Sequence, residues 1–228
     1  TELEEVKWRF YREAEASGRL DHRNIVTVYD VGEEHDLAYI AMDFVPGHSL
    51  DETAREGSLL PVDEVLDIGI QVAEALDYAH KQQVIHRDIK PANMLYEPDK
   101  RMVKLTDFGI ARLIDNSKTR TGTLLGTPAY MAPEQITSQD VDGRADLYSL
   151  GVTLFQLLTG QLPFTSDSMA NLVFKITSEK APDLRSIRPE LGADLARVVA
   201  KALHKEPDKR YQSGANMAAA LRRVREQA

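Results

Sequence analysis

The 228-residue sequence contains no cysteine. A disulfide framework, a thiolate zinc site and a cysteine nucleophile are thereby excluded. Positive charge is in deficit as well: 28 Lys and Arg against 36 Asp and Glu leave a net charge of −8. That balance counts against a chain devoted to wrapping nucleic acid or lying on an anionic membrane. No apolar run approaches bilayer length; the best, Val152 to Leu158, is short and broken by Gln156. The opening TELEEVKWRFYRE is charged and amphipathic, unlike a secretory signal, so a reducing cytosolic compartment is the expectation. The six histidines show no H-E-x-x-H or related ligand spacing, which leaves a zinc enzyme unsupported. There is also no G-x-G anywhere, and Lys7 is the only lysine ahead of Glu13.

What the sequence does hold is 43% apolar and 28% charged residues, the balance of a soluble globular protein. Leu3, Val6, Phe10 and Ala14 fall at helical spacing, predicting a helix from Thr1 to about Arg19. Two strand-like runs follow, Ile25 to Val31 and Leu37 to Val45, joined by a hairpin connection. Val62, Val65, Ile68, Val72, Leu76 and Ala79 trace one face of a long helix, with Pro61, Asp63 and Glu64 suited to its first turn. Residues 84–112 read as small strands and loops, and Asp115 to Thr127 as an aperiodic, hydroxyl-rich loop. An apolar helix through Leu147, Leu150, Leu154 and Leu158 comes next, then helical stretches near 167–178, 193–204 and 214–226, the last capped by Ser213.

Chemistry concentrates in Val84-Ile85-His86-Arg87-Asp88-Ile89-Lys90-Pro91-Ala92-Asn93. Asp107-Phe108-Gly109 begins fourteen residues after Asn93, and Ala132-Pro133-Glu134 follows. Any one such triplet recurs by chance. Together, in order and at these separations, they resemble the protein kinase core: the H-R-D-x-x-x-x-N loop, D-F-G and A-P-E. Lys90 in Asp-Ile-Lys-Pro and the run Gly126 to Glu134 point to the serine/threonine class. The whole pattern, including Phe-Gly-Ile-Ala-Arg, most resembles the bacterial eukaryotic-like serine/threonine kinases of the PknB type.

The resemblance implies an α+β fold: a bilobal kinase with a truncated N-lobe of one helix and antiparallel strands, and a complete, mainly helical C-lobe. Residues 1–45 would be the partial N-lobe and hinge, and 46–228 the C-lobe. It implies ATP and Mg²⁺ as cofactors and protein serine or threonine hydroxyls as acceptors. Phosphoryl transfer depends on positioning and charge neutralisation more than on covalent help, which suits the residue types present. Asp88 would take the hydroxyl proton, Lys90 would stabilise the transferring phosphoryl group, and Asn93 and Asp107 would hold magnesium. Glu13 would pair with the ATP-binding lysine, Met42 would be the gatekeeper, and the backbone of Asp43 and Val45 would bind adenine.

Further positions carry structural roles by the same resemblance. His86 and Phe108 would be core pieces of the active arrangement, and Thr127 would help form the substrate pocket. Glu134 would pair with Arg210, and Asp146 would brace the loop backbone. Arg87 marks the class switched by loop phosphorylation, with Thr119 and Thr121 as the expected sites, and self-association would allow autophosphorylation in trans. The expected location is the cytoplasm, or the cytoplasmic part of a longer membrane-anchored protein.

The Gly-rich loop and strand lysine that the kinase pattern requires are not in these residues. Lys7, on the same predicted helix as Glu13, reads as a surface residue. The expectation is a truncated kinase domain with little activity as it stands. The competing reading is a non-catalytic kinase-like binding or scaffold module. A further alternative, serine hydrolysis, rests on Gly47-His48-Ser49-Leu50, which mimics G-x-S-x-G but carries Asp51 at the fifth position.

Overall fold

The computed structural model describes residues 18–35, 37–108 and 128–227. The helix expected over Thr1–Arg19 and the loop expected over Asp115–Thr127 fall largely or wholly outside them. Strands β1 (Val28–Glu34) and β2 (Leu37–Met42) form an antiparallel pair, with Val28 opposite Met42 and Glu34 opposite Leu37. Beyond it, β3 (His48–Ser49), β4 (Met94–Glu97) and β5 (Met102–Leu105) make a small antiparallel sheet in the order β3-β4-β5. The rest is helical.

The first strand is displaced from its expected position. Ile25 and Val26, read from sequence as its start, are buried and pair with β5. Val26 N–H donates to the Leu105 carbonyl and Leu105 N–H to that of Asn24, each at 2.8 Å. Burial decides the matter: these two apolar residues gain more against the helical body than on an exposed hairpin. The hairpin instead continues through Gly32, Glu33 and Glu34, where the two glutamates are exposed. A polar staple secures the junction. Asn24 Nδ2 donates to Gln71 Oε1 and to the Val103 carbonyl, each at 2.8 Å, and Gln71 Nε2 donates to the Arg101 carbonyl at 2.9 Å.

Helix α1 (Val62–Lys81) forms where the apolar spacing predicts, with Asp63 and Glu64 at its positive end and His80 and Lys81 at its negative end. Helix α2 (Pro133–Ile136) is one short turn. Helix α3 (Gly143–Thr159) starts one turn earlier than the leucine pattern alone indicates, because Asp142 caps it by accepting from Arg144 N–H at 2.9 Å. It is buried on nearly every face, which makes it the centre of the body. Gly160, at φ 75°, ends it in the left-handed conformation.

Helices α4 (Met169–Ser178), α5 (Gly192–Ala202) and α6 (Gly214–Gln227) complete the layer. The expected Ser213 cap on α6 is present, its Oγ accepting from Asn216 N–H at 3.1 Å. α6 enters so close to α1 that a Cβ on Gly214 would lie 2.1 Å from the Ala73 carbonyl. One contiguous core joins α1, α3, α5, α6 and the three-stranded sheet, with Leu66, Leu76, Leu150, Leu154 and Leu221 almost wholly buried. Each such leucine contributes roughly 1.5–3 kcal/mol.

Candidate active site

The loop from His86 to Asn93 runs between α1 and β4, and its shape is set by hydrogen bonds to its backbone. Asp146, in the first turn of α3 and 1% exposed, accepts from His86 N–H at 2.9 Å and from Arg87 N–H at 2.8 Å. Gln135 of α2 donates to the Arg87 carbonyl at 3.1 Å, while its own Oε1 accepts from Ala132 N–H at 2.9 Å. Both peptide groups of Arg87 are therefore held. Arg87 needs this support, because its φ is 69° and Asp107 across the site is at 63°. A side-chain-bearing residue in that region costs roughly 1–3 kcal/mol and persists only when its surroundings over-determine it.

His86 is fully buried and joins the two segments. Its Nδ1 accepts from Asp88 N–H at 3.2 Å, and its Nε2 lies 2.8 Å from the Thr106 carbonyl. A carbonyl can only accept, so Nε2 carries the proton. Phe108 packs on the ring at 4.5 Å between centroids and is itself buried. Thr106 N–H donates to the Asn93 carbonyl at 3.1 Å. The two loops thus sit in one register.

At the mouth, the Asp88 carboxylate is one-third exposed and lies 2.8 Å from Lys90 Nζ. Asn93 Nδ2 donates to the Asp88 carbonyl at 2.8 Å and to Asp88 Oδ2 at 3.0 Å. A carboxylate gripped by an ammonium and an amide has a fixed direction, which a general base requires. Both hydrogen bonds of the Asn93 amide nitrogen go to Asp88.

Above the mouth, β2 ends at Met42 and the chain passes through Asp43, Phe44 and Val45. Asp43 N–H donates to the Thr27 carbonyl at 2.9 Å. The Asp43 carboxylate accepts from the Tyr29 hydroxyl, from Lys104 Nζ at 2.9 Å and from Thr27 N–H at 3.2 Å. The Tyr29 bond first, and Lys104 second, hold it far below the usual carboxylate range. Ser49 Oγ donates to the Pro91 carbonyl and accepts from Asp51 N–H, each at 3.3 Å. Both partners are backbone groups, so the hydrolase reading lacks the base its nucleophile needs.

A second polar chain closes the other wall. Tyr130 OH donates to Gln156 Oε1 at 2.6 Å, and Gln156 Nε2 donates to the Ala54 carbonyl at 3.3 Å. Burial, and then the nearby charge of Asp51, push the Tyr130 phenol up to about 12. Below it Glu134 and Arg210 meet in a two-pronged pair at 2.6 and 2.7 Å, with side chains 4% and 0% exposed. The remaining Arg210 donors reach the carbonyls of His204 at 2.6 Å, Lys205 at 2.8 Å and Arg144 at 3.3 Å, and its guanidinium lies 4.9 Å from the Tyr148 ring centre.

A family model described as the protein kinase domain matches residues 1–221 of this chain. The chain belongs to the protein kinase domain family. The kinase domain is 43% identical to the serine/threonine-protein kinase PknB of Mycobacterium tuberculosis over 225 residues, which is 95% of this chain and 36% of that protein. It is 37% identical to the serine/threonine-protein kinase PrkC of Bacillus subtilis over 215 residues, 94% of the chain and 33% of that protein. A probable serine/threonine-protein kinase of Clostridium perfringens is 39% identical over 97% of the chain and 32% of its own length. The chain thus spans about a third of the length of these curated relatives. Among solved structures, the crystal structure of Rad53 1–466 in complex with AMP-PNP matches with a TM-score of 0.78 and 27% identity, covering 92% of this chain and 53% of that one.

Within the kinase domain, the expected residues fall into connected groups. Asp88, Lys90 and Asn93 share one network; His86, Phe108 and Asp107 adjoin it; Asp146 holds the loop backbone; Glu134 meets Arg210. Met42, Asp43 and Val45 stand apart, at the end of the hairpin. Glu13, Thr119, Thr121 and Thr127 lie outside the described residues. Sequence reasoning missed His80 and Gln135, which touch Asp146 and Arg87. The one signal for His80 was its place directly after Ala79 on the apolar face of α1. Among the described residues, no helix is long and apolar enough to cross a membrane.

Proposed function

We propose that this kinase domain binds ATP and transfers its γ-phosphate to serine or threonine hydroxyls of protein substrates. The observation that carries the reading is the Asp88 carboxylate, aimed by Lys90 at 2.8 Å and Asn93 at 3.0 Å. Asp88 orients the acceptor hydroxyl and takes its proton, and Lys90 meets the charge of the transferring group. Asn93 and Asp107 would hold Mg²⁺, which neutralises charge on the phosphate oxygens. Glu13, Met42, the carbonyl of Asp43 and the N–H of Val45 form the nucleotide side in this reading. Residues 1–45 then belong to the N-lobe and hinge, and 46–228 to the C-lobe.

Thr119 and Thr121 are the proposed phosphorylation sites, with Arg87 as their partner and Thr127 on the substrate pocket. A phosphothreonine brings nearly two negative charges, enough to order a loop against a guanidinium. Self-association would supply that phosphate in trans, and a cytoplasmic location fits a domain that uses ATP.

The test is Asp88→Asn, with a Gly-rich loop and strand lysine supplied ahead of Thr1. Turnover on a protein substrate should fall by about 10²–10⁴-fold, with nucleotide affinity retained. Equal turnover in the two proteins would refute the assignment.

A further inference from the structure

Helix α4 sits apart from the main core. Its buried residues, Leu172 and Ile176, pack with Phe164 in a small cluster of their own, on which Ile136 of α2 and Ala181 rest. The C-terminal end of α4 is tied to the body from the connection that follows α5. Lys205 Nζ donates to the Ile176 carbonyl at 2.6 Å and reaches that of Lys175 at 3.4 Å. An ammonium there meets the negative end of the helix. It also lies 4.0 Å from the Phe164 ring centre and 5.9 Å from that of Tyr148. The peptide of Lys205 is gripped in turn, its carbonyl accepting from Arg210 Nη2 at 2.8 Å.

Lys205 is a cation without a counter-charge. Its partners are carbonyls and aromatic rings, and among the described residues it makes no ion pair. The nearby carboxylates are engaged elsewhere: Glu206 with Lys209 at 2.6 Å, and Glu134 with Arg210. Lys175 turns its own ammonium to the Thr165 carbonyl at 2.8 Å, and His204 Nδ1 accepts from Glu206 N–H at 3.2 Å. Burial, and then the charge of Arg210, lower the Lys205 ammonium to about 8, against a smaller pull from Glu179 at the end of α4. Burial beside a second cation is the arrangement that makes a lysine nucleophilic near neutral pH. A neutral amine keeps two N–H groups, enough to stay on the Ile176 carbonyl with its lone pair free. The residue is part-buried rather than sealed.

We propose that Lys205 is a nucleophilic lysine open to acylation by small acyl phosphates, and that its acylation unseats the C-terminal end of α4. In that step the amine nitrogen bonds to the acyl carbon and the carbon–oxygen bond to phosphate breaks. Phosphate leaves with the electron pair, and the surplus proton of the amine passes to water. The product has one N–H, no charge and added bulk at a junction Phe164 already fills, so the helix end loses its tie. The step needs no phosphate transfer by the chain and stands apart from the kinase reading.

The test treats the full chain with acetyl phosphate at about pH 7.5 and follows each lysine by peptide mass spectrometry. Lys205 should acetylate about tenfold faster than the exposed Lys180 and Lys201. A rate equal to theirs, or slower, overturns the assignment of the site.

The second readout is hydrogen exchange in α4, measured by NMR. In the acetylated protein, and in Lys205→Gln, the amides of Lys175 to Ser178 should exchange about tenfold faster, the loss of one hydrogen bond from a charged donor. Lys205→Arg, which keeps the charge and its donors, should stay near wild type. If Lys205→Gln fails to fold, the acetylated wild-type chain supplies the reading. Unchanged exchange in that chain, or a loss of protection spread equally over α1 and α3, overturns the link between Lys205 and the seat of α4.

Discussion

Asp146 and Asp43 each accept from three donors, one in the helical body and one on the hairpin, yet the two carboxylates do different work. Asp146 is 1% exposed and has nothing to fall back on if a donor is lost. The Asp43 side chain is 21% exposed, and water stands ready to replace Tyr29 or Lys104. The number of bonds is the same; what differs is the cost of leaving a group unpaired. The body accordingly behaves as a set of obligatory partnerships, and the hairpin as a set of optional ones. The same division shows in the apolar residues. Leu150 and Leu154 are sealed in the core, while Tyr29, Leu37 and Phe44 lie open at 68%, 73% and 90%.

The comparison is most exposed to failure at Glu134. Glu134→Ala leaves the Arg210 guanidinium buried without its counter-charge and should cost about 3–5 kcal/mol, read from the urea midpoint. Glu134→Gln, which keeps one acceptor, should cost less. A loss within that of a surface substitution would show that body partnerships are also optional.

Sterics give the next largest effect. Gly214→Ala drives a methyl group onto the backbone carbonyl of Ala73, which cannot move without shifting α1, and should cost roughly 1–3 kcal/mol. On the hairpin, Asp43→Ala should cost about 1 kcal/mol or less, because partly exposed ion pairs contribute little. Its pH dependence has a definite sign. The folded carboxylate titrates below its unfolded value, so its contribution is complete above about pH 4 and fades as pH falls below that. Asp43→Ala should flatten that part of the acid limb, followed by the hairpin amide signals.

The smallest effect is expected at Gly32. A Cβ there would lie 2.4 Å from the Tyr39 hydroxyl, a closer clash on paper than many in the core. Tyr39 is 42% exposed, so its ring can swing aside. Gly32→Ala should stay within about 0.5 kcal/mol of wild type. A loss as large as that of Gly214→Ala would erase the distinction between the regions.

Legibility followed the range of the interactions. The His86–Asn93 loop was readable because its chemistry lies within eight consecutive residues, and α1 because its apolar spacing is local. The Glu134–Arg210 pair spans 76 positions and was reached only through resemblance to a family. The start of β1 was misplaced because Ile25 and Val26 serve a partner near residue 105, which no local pattern announces. His80, Gln135 and Gln71 escaped notice for a common reason. A polar side chain on a helix looks ordinary until the fold brings to it a partner from a distant part of the sequence.

Gln135 uses both ends of one amide, taking a proton from Ala132 and giving one to the Arg87 carbonyl. In mechanical terms it is a strut. The segment entering α2 cannot slide along its axis without breaking one of these bonds or dragging the Arg87 peptide with it. A carboxylate at this position would keep the first bond and lose the second, turning the strut into a hinge. The loop that aims Asp88 therefore feels the position of α2 through a single side chain, and only an amide can carry that load in both directions.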